Sequence, residues 1–248
     1  MDLPARAVDL SFHATHTFSP IISVDLSVDF GYASEEVGMP LPADFRFALL
    51  QSPTEGLGNL RIFYDRLPVD PYINGQFRQR RFSHFVGSAE RLRRLDHMHF
   101  EQSKKINQFA GGVKRDFQEL EDGFIQEPAV LAMVALFASV MSFDPEVREI
   151  GVHQIRIIGA PGEAGSPAPE GIHQDGFDYI GIFCVERFQI LGATTSIYPA
   201  KGQPPLFSRE LQAGEAVFAN DRKVCHFAEQ VWPSGEDPGH WDLLVITA

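Results

Sequence analysis

Gly171-Ile172-His173-Gln174-Asp175-Gly176 is the stretch from which the rest of this chain is best read. On an extended backbone, side chains two positions apart project to the same side, so His173 and Asp175 share a face, about 7 Å apart along the strand. An imidazole and a carboxylate held in this way can grip one metal ion. A third ligand must come from a distant segment, and His226, in Asp221-Arg222-Lys223-Val224-Cys225-His226-Phe227, is the best candidate. The 53 positions between His173 and His226 allow several strands to leave the first pair and return beside it. Two imidazoles and one carboxylate on one face of a metal form the ligand set of non-haem Fe(II) oxygenases, which keeps positions open for cosubstrate and oxygen. Asp178 and His240 compete for these places. Asp178 is five residues from His173 and would face the other way on a regular strand, while His240 sits in a Pro-Gly-His turn where an exposed polar residue is ordinary.

With 248 residues, 44% hydrophobic and 22% charged, the composition suits one globular domain over residues 1–248, undivided by any linker. Residues 1–150 are expected to give strand and helical support, and 151–248 the metal-binding jelly-roll strands. A net charge of -12 disfavours nucleic acid and anionic membranes as partners and leaves a small molecule as the expected one. The N-terminal stretch lacks a basic flank followed by an apolar core, and no apolar run is long enough to span a bilayer, so a cytoplasmic location is expected. Cys184 and Cys225 are too few for a disulfide scaffold and read as reduced core thiols.

Along the chain, Ser19–Val28 reads as an edge strand and Leu41–Leu50 as a short helix. Phe77-Arg78-Gln79-Arg80-Arg81-Phe82-Ser83-His84-Phe85 reads as a strand with one basic face, where guanidinium forks can bind carboxylates. Residues 89–97 have a charged helical pattern. His13 and His16 read as exposed strand residues, and His97 and His99 form a His-x-His pair that no nearby carboxylate and third histidine complete into a metal site. Gly111-Gly112 marks a turn and lacks the spacing of a phosphate loop. Glu127–Met141 is the clearest helix, apolar on all sides and therefore buried against a sheet.

From Val152 the rhythm becomes that of strands. In Val152-His153-Gln154-Ile155-Arg156-Ile157-Ile158, Gln154 and Arg156 share one face and His153, Ile155 and Ile157 the other. A Gly/Pro/Ala/Ser loop over 159–169 is either a lid or a plain connection. Further strands follow at 179–185, 193–198, 216–219, around His226, and at 241–247, with a turn at 212–215 before the strand that delivers His226. The fold class is mainly β with flanking helices, a double-sheet jelly roll. No HExxH supports a zinc hydrolase and no nucleophile elbow supports acyl transfer.

The sequence resembles the bacterial 2-oxoglutarate/Fe(II) dioxygenases typified by L-isoleucine 4-hydroxylase and related free amino acid hydroxylases. The likeness runs through Asp70-Pro71-Tyr72, Arg80-Arg81-Phe82, Gln102-Ser103, Asn107, Gly111-Gly112-Val113, Arg115-Asp116-Phe117, Val152-His153-Gln154-Ile155-Arg156, the His-Gln-Asp-Gly block and His226. The resemblance implies a double-stranded β-helix of the cupin type, with iron on His173, Asp175 and His226. It also implies 2-oxoglutarate as cosubstrate, O2 as oxidant and oxidation of an unactivated C–H bond, by hydroxylation or else by desaturation or ring closure. One position departs from the pattern. Where the family carries an arginine for the distal carboxylate of 2-oxoglutarate, this chain has Trp241, which cannot form a carboxylate fork. Arg156 is then the first alternative for that charge, followed by Arg115 and Arg81. For an amino acid substrate the expected partners are Arg81, Gln102, Asn107, Gln154 and Arg115, with Arg156 also considered. Two alternatives stay open: an Fe(II) oxidase or cyclase that does not use 2-oxoglutarate in the usual way, and a non-catalytic cupin-like binding protein.

Overall fold

The computed structural model describes residues 9–11, 21–26, 41, 44–87, 91–102, 104, 111–141 and 148–248. Within them lie strands β1 (Asp9–Ser11), β2 (Ile21–Leu26), β3 (Phe45–Gln51), β4 (Arg78–Gly87), β5 (Arg91–Arg94), β6 (Arg148–Gly159) and β7 (Tyr179–Phe188). They continue with β8 (Ile190–Gly192), β9 (Thr194–Tyr198), β10 (Phe207–Glu210), β11 (Glu215–Asn220), β12 (Cys225–Ala228), β13 (Val231–Pro233) and β14 (Gly239–Thr247). Helices are α1 (Arg61–Tyr64), α2 (Asp122–Ile125) and α3 (Pro128–Val140). None is long and apolar enough to cross a membrane.

Nine strands form one antiparallel sheet in the order β1-β5-β4-β6-β14-β7-β11-β3-β2, and a second sheet has the order β10-β9-β12. This is the jelly-roll arrangement of a mainly β chain. The period-two alternation of the central strands feeds two cores. Val152, Phe183, Phe218, Leu244 and Ile246 point to α3, where Phe137 stacks on Phe218 at 5.9 Å between ring centroids. Ile157, Ile182, Val217, Trp241 and Leu243 point to the small sheet and meet Ile197 and Val224. Gly181 lets α3 come this close, since a Cβ there would stand 2.7 Å from the Phe137 ring.

Three expectations need correction. Residues 41–50 hold no helix: Phe45–Gln51 is β3, paired with β2 and β11. Ala48 and Leu50 join one core and Phe47 and Leu49 the other, and a strand buried on both faces gives an unbroken apolar run that periodicity cannot tell from a helix. Within 89–97 the regular element is β5, pairing with β4 and β1. The turn at 212–215 precedes β11, and a second turn, in which Lys223 N–H donates to Asn220 O, leads into β12 with His226. The edge strand near the N-terminus, the basic strand at 78–87, the helix at 128–140 and the later strands stand where the pattern put them. His13 and His16 lie outside the described residues.

Candidate metal centre and its pocket

His173 and His226 meet across an antiparallel bridge between the loop after β6 and strand β12. The His173 N–H donates to His226 O (3.0 Å) and the His226 N–H to His173 O (2.8 Å), which puts the rings 4.2 Å apart. Asp175 Oδ1 lies 3.5 Å from His173 Nε2, and its Oδ2 lies 3.7 Å from His226 Nε2. One ligand atom from each of the three lies within 4.8 Å of the others. His173 Nδ1 is 2.7 Å from Gly171 O, which can only accept. Nδ1 therefore carries a proton; against burial, the Asp175 hydrogen bond and the charges of Asp175 and Glu170 raise His173 to about 9, so without a cation Nε2 is protonated as well, and a bound cation would take the place of that proton. Burial opposes the charge on Asp175, yet the His173 hydrogen bond and the nearby His226 hold its carboxyl far below the usual range. Burial and the adjacent His173 push His226 down to about 4, so its imidazole is neutral. A negative carboxylate and a neutral imidazole beside a third nitrogen are the donors a divalent cation requires.

Two further residues fix Asp175. The buried Asp221 carboxylate accepts the backbone N–H groups of Asp175 (3.1 Å), Gly176 (2.6 Å) and Phe177 (3.1 Å), and its Oδ1 stands 3.8 Å from His226 Nδ1. Burial and the charge of Asp175 raise the Asp221 carboxyl to about 6, against the pull of those three donors. On the other side, Gln102 Nε2 donates to Asp175 O (2.9 Å) and Oδ1 (3.1 Å), and Arg115 Nη2 donates to Gln102 Oε1 (2.6 Å).

The three candidate ligands open onto a cavity of about 130 Å³ between the two sheets. Ile155, Ile157, Ile182, Trp241 and Leu243 make one side apolar, while Arg78, Arg80 and Arg115, with His153 among them, make another rich in guanidinium groups, with Glu170 beside His173. Arg78 is neutralised by Asp70 at 2.8 Å. Arg80 Nη2 lies 2.6 Å from His153 Nδ1, and because a guanidinium only donates, the imidazole accepts. Burial and then the charge of Arg80 keep His153 well below its ordinary pKa, hence neutral.

Residues 61–247 match the family model described as 2OG-Fe dioxygenase. The chain belongs to the 2OG-Fe dioxygenase family. This family uses Fe(II), 2-oxoglutarate and O2, and the histidine–carboxylate cluster fits the metal by its donor types. Among solved structures, a bsmA homologue from Methylobium petroleophilum PM1 shares 24% identity over 85% of this chain and 94% of its own, with a TM-score of 0.68. IDO from Bacillus thuringiensis shares 17% over 80% of this chain and 92% of its own, with a TM-score of 0.65. The Fe(II)/α-ketoglutarate-dependent dioxygenase TqaL shares 17% over 82% of each chain, with a TM-score of 0.58. At these identities the likeness is one of fold, and it does not single out the isoleucine hydroxylase branch. No curated protein matches the sequence.

The dioxygenase fold brings together some of the residues expected at the site and parts others. His173, Asp175 and His226 converge, and Gln102, Arg115 and Trp241 line the same cavity. Trp241 is an apolar wall, its indole N–H directed to Cys184 Sγ at 3.4 Å. Arg156 is a correction. It lies on the helix-facing side of β6, with Nε and Nη2 on Asp242 (2.6 and 2.7 Å) and Nη1 on Asp65 (2.7 Å), so its fork is already filled away from the cavity. Gln154 shares that face with no exposed surface. Arg81 also points away, donating to Glu119 O at 2.9 Å. Asn107 lies outside the described residues. His240 sits with Glu186 and Asp242, but Arg156 already supplies the cation there. His97 is an exposed partner of Asp116 and Glu119.

Of Arg80, His153, Glu170 and Asp221, only Arg80 was anticipated near a ligand, as part of the basic strand at 77–85, and none of the four was singled out as a site residue. Strand parity could have found two of them: Arg80 pairs with Ile155 and Phe82 with His153, so Arg80 and His153 belong to the face that looks into the cavity. Asp221 carried no such signal, because an aspartate in a turn is ordinary.

Proposed function

We propose that this dioxygenase holds Fe(II) on His173, Asp175 and His226 and oxidises, by hydroxylation, an unactivated C–H bond of a free amino acid or close derivative. The observation that carries the reading is the convergence of those three side chains on a small cavity with both a cationic wall and an apolar one. When bound, Fe(II) with 2-oxoglutarate and oxygen supplies the oxidising power, and the protein supplies placement. Asp221 and Gln102 hold Asp175 in position. The arginine wall orients a carboxylate, and Glu170, which among the described residues is the one lining acid besides Asp175, is suited to accept an ammonium group. The aliphatic side chains with Trp241 exclude water around the carbon to be attacked.

The test has two stages. Anaerobic addition of Fe(II) and then 2-oxoglutarate should give a visible charge-transfer band. Oxygen is then admitted with a panel of free amino acids, and at least one should raise succinate release above the substrate-free background. A band without any such amino acid would remove the substrate class and leave the dioxygenase assignment standing.

A further inference from the structure

We propose that Arg80, with Arg115 beside it, forms a subsite for one carboxylate, placed on β4 and two strands away from the β14 position that Trp241 occupies. The inference deepens the reading of the cavity as an Fe(II)/2-oxoglutarate site. It starts from a buried charge without a counter-ion. Arg80 is 7% exposed, yet among the described residues no carboxylate lies within ion-pair distance of it and its Nε has no hydrogen-bond partner. Among the described residues its one side-chain hydrogen-bond partner is the neutral His153, which orients the guanidinium and cannot neutralise it. Arg78, on the same face, has Asp70, so lack of a counter-ion is not general to this wall.

The guanidinium is also held in place before any ligand arrives. Its Cζ lies 4.5 Å from the centroid of Phe117 and 5.2 Å from that of Phe100. His153 is fixed in turn by stacking on Phe82 at 4.3 Å. Arg115 packs its guanidinium on the same Phe100 ring at 4.6 Å, spends Nη2 on Gln102 and leaves Nε without a partner. An uncompensated buried cation is costly, and a planar fork is complementary to a carboxylate, so a carboxylate ligand both removes the cost and fits the geometry. On the apolar side Trp241, Ile157 and Leu243 present no cation, which leaves this wall as the place for an acid's charge. The carboxylate belongs either to the distal end of 2-oxoglutarate or to the substrate, and the chemistry is shared.

The experiment compares wild type, Arg80→Gln and Arg80→Lys, loaded with Fe(II) and kept anaerobic. One arm measures the dissociation constants of 2-oxoglutarate and of 2-oxopentanoate, the same chelating keto acid without the distal carboxylate. The other measures how L-leucine and L-leucinamide perturb the complex. Wild type should prefer the carboxylate partner in one arm by about 30-fold or more, Arg80→Gln should abolish that preference, and Arg80→Lys should keep part of it. Loss in the first arm assigns the subsite to the cosubstrate, and loss in the second to the substrate. Unfolding of the ligand-free proteins gives an independent readout: Arg80→Gln, relieved of an unpaired charge, should melt at the wild-type temperature or a few degrees above it. No carboxylate preference in wild type, an unchanged preference in Arg80→Gln, or a clear drop in its melting temperature overturns the proposal. If wild type forms no band with 2-oxoglutarate, the function reading fails, and the melting comparison still decides for Arg80.

Discussion

Arg156 and Arg80 sit on neighbouring strands of one sheet, are equally buried at 7% exposure, and live in opposite surroundings. On the helix-facing side, Arg156 has a two-point hold on Asp242 and a third contact with Asp65. On the cavity side, Arg80 has an imidazole, two aromatic faces and no carboxylate among the described residues. Burial therefore does not separate the two, and counter-ions do. A buried arginine whose fork is filled by the protein holds the fold together. One whose fork is left open is a place for a ligand, at some expense in stability.

The largest expected effect tests the filled side. Asp242 has no exposed surface, and Asp242→Ala would leave Arg156 with the half-exposed Asp65 as its one carboxylate partner among the described residues. Removing one partner of a buried pair costs about 3–5 kcal/mol, so urea unfolding should show a loss of that size. A loss below about 1 kcal/mol would erase the distinction between the two arginines. On the cavity side Asp221 is committed to a candidate ligand instead. Asp221→Ala deprives three backbone N–H groups of their acceptor and loosens the turn that carries Asp175. Metal affinity, read by Co(II) titration of the folded protein, should fall roughly 10- to 100-fold. Gln102→Ala removes a side-chain tether and leaves the three N–H bonds in place, so the loss should sit at the lower end, about tenfold.

The same contrast explains what could be read without coordinates. The His173–Asp175 pair was legible because period-two geometry puts both side chains on one side, and His226 because a jelly roll returns distant strands to one spot. Parity within β6 was legible too. Which face carried the cavity was not: the polar Gln154 and Arg156 drew attention to the wrong side, since a filled ion pair and an open cationic wall have the same residue types in sequence. Only the register between β4 and β6, and the approach of Asp242 from β14, separate them. Strand β3 stayed hidden for a related reason, because burial on both faces removes the alternation that marks a strand.

The smallest effect is expected at Gln154, and it sharpens the comparison most closely because the residue lies between the two circumstances. It is fully buried on the face of Arg156, yet among the described residues neither its Nε2 nor its Oε1 has a hydrogen-bond partner. An amide removed from water without a partner contributes little or works against stability, so an apolar side chain of similar size should be tolerated. Gln154→Leu is expected to unfold within about 1 kcal/mol of wild type, with any difference toward greater stability. Since the side chain faces away from the cavity, the KM for 2-oxoglutarate and for the amino acid found by succinate release should both stay at the wild-type values. A rise in either KM with stability unchanged would mean that the helix-facing side of β6 takes part in ligand binding, and the division drawn from Arg156 and Arg80 would then have to be redrawn.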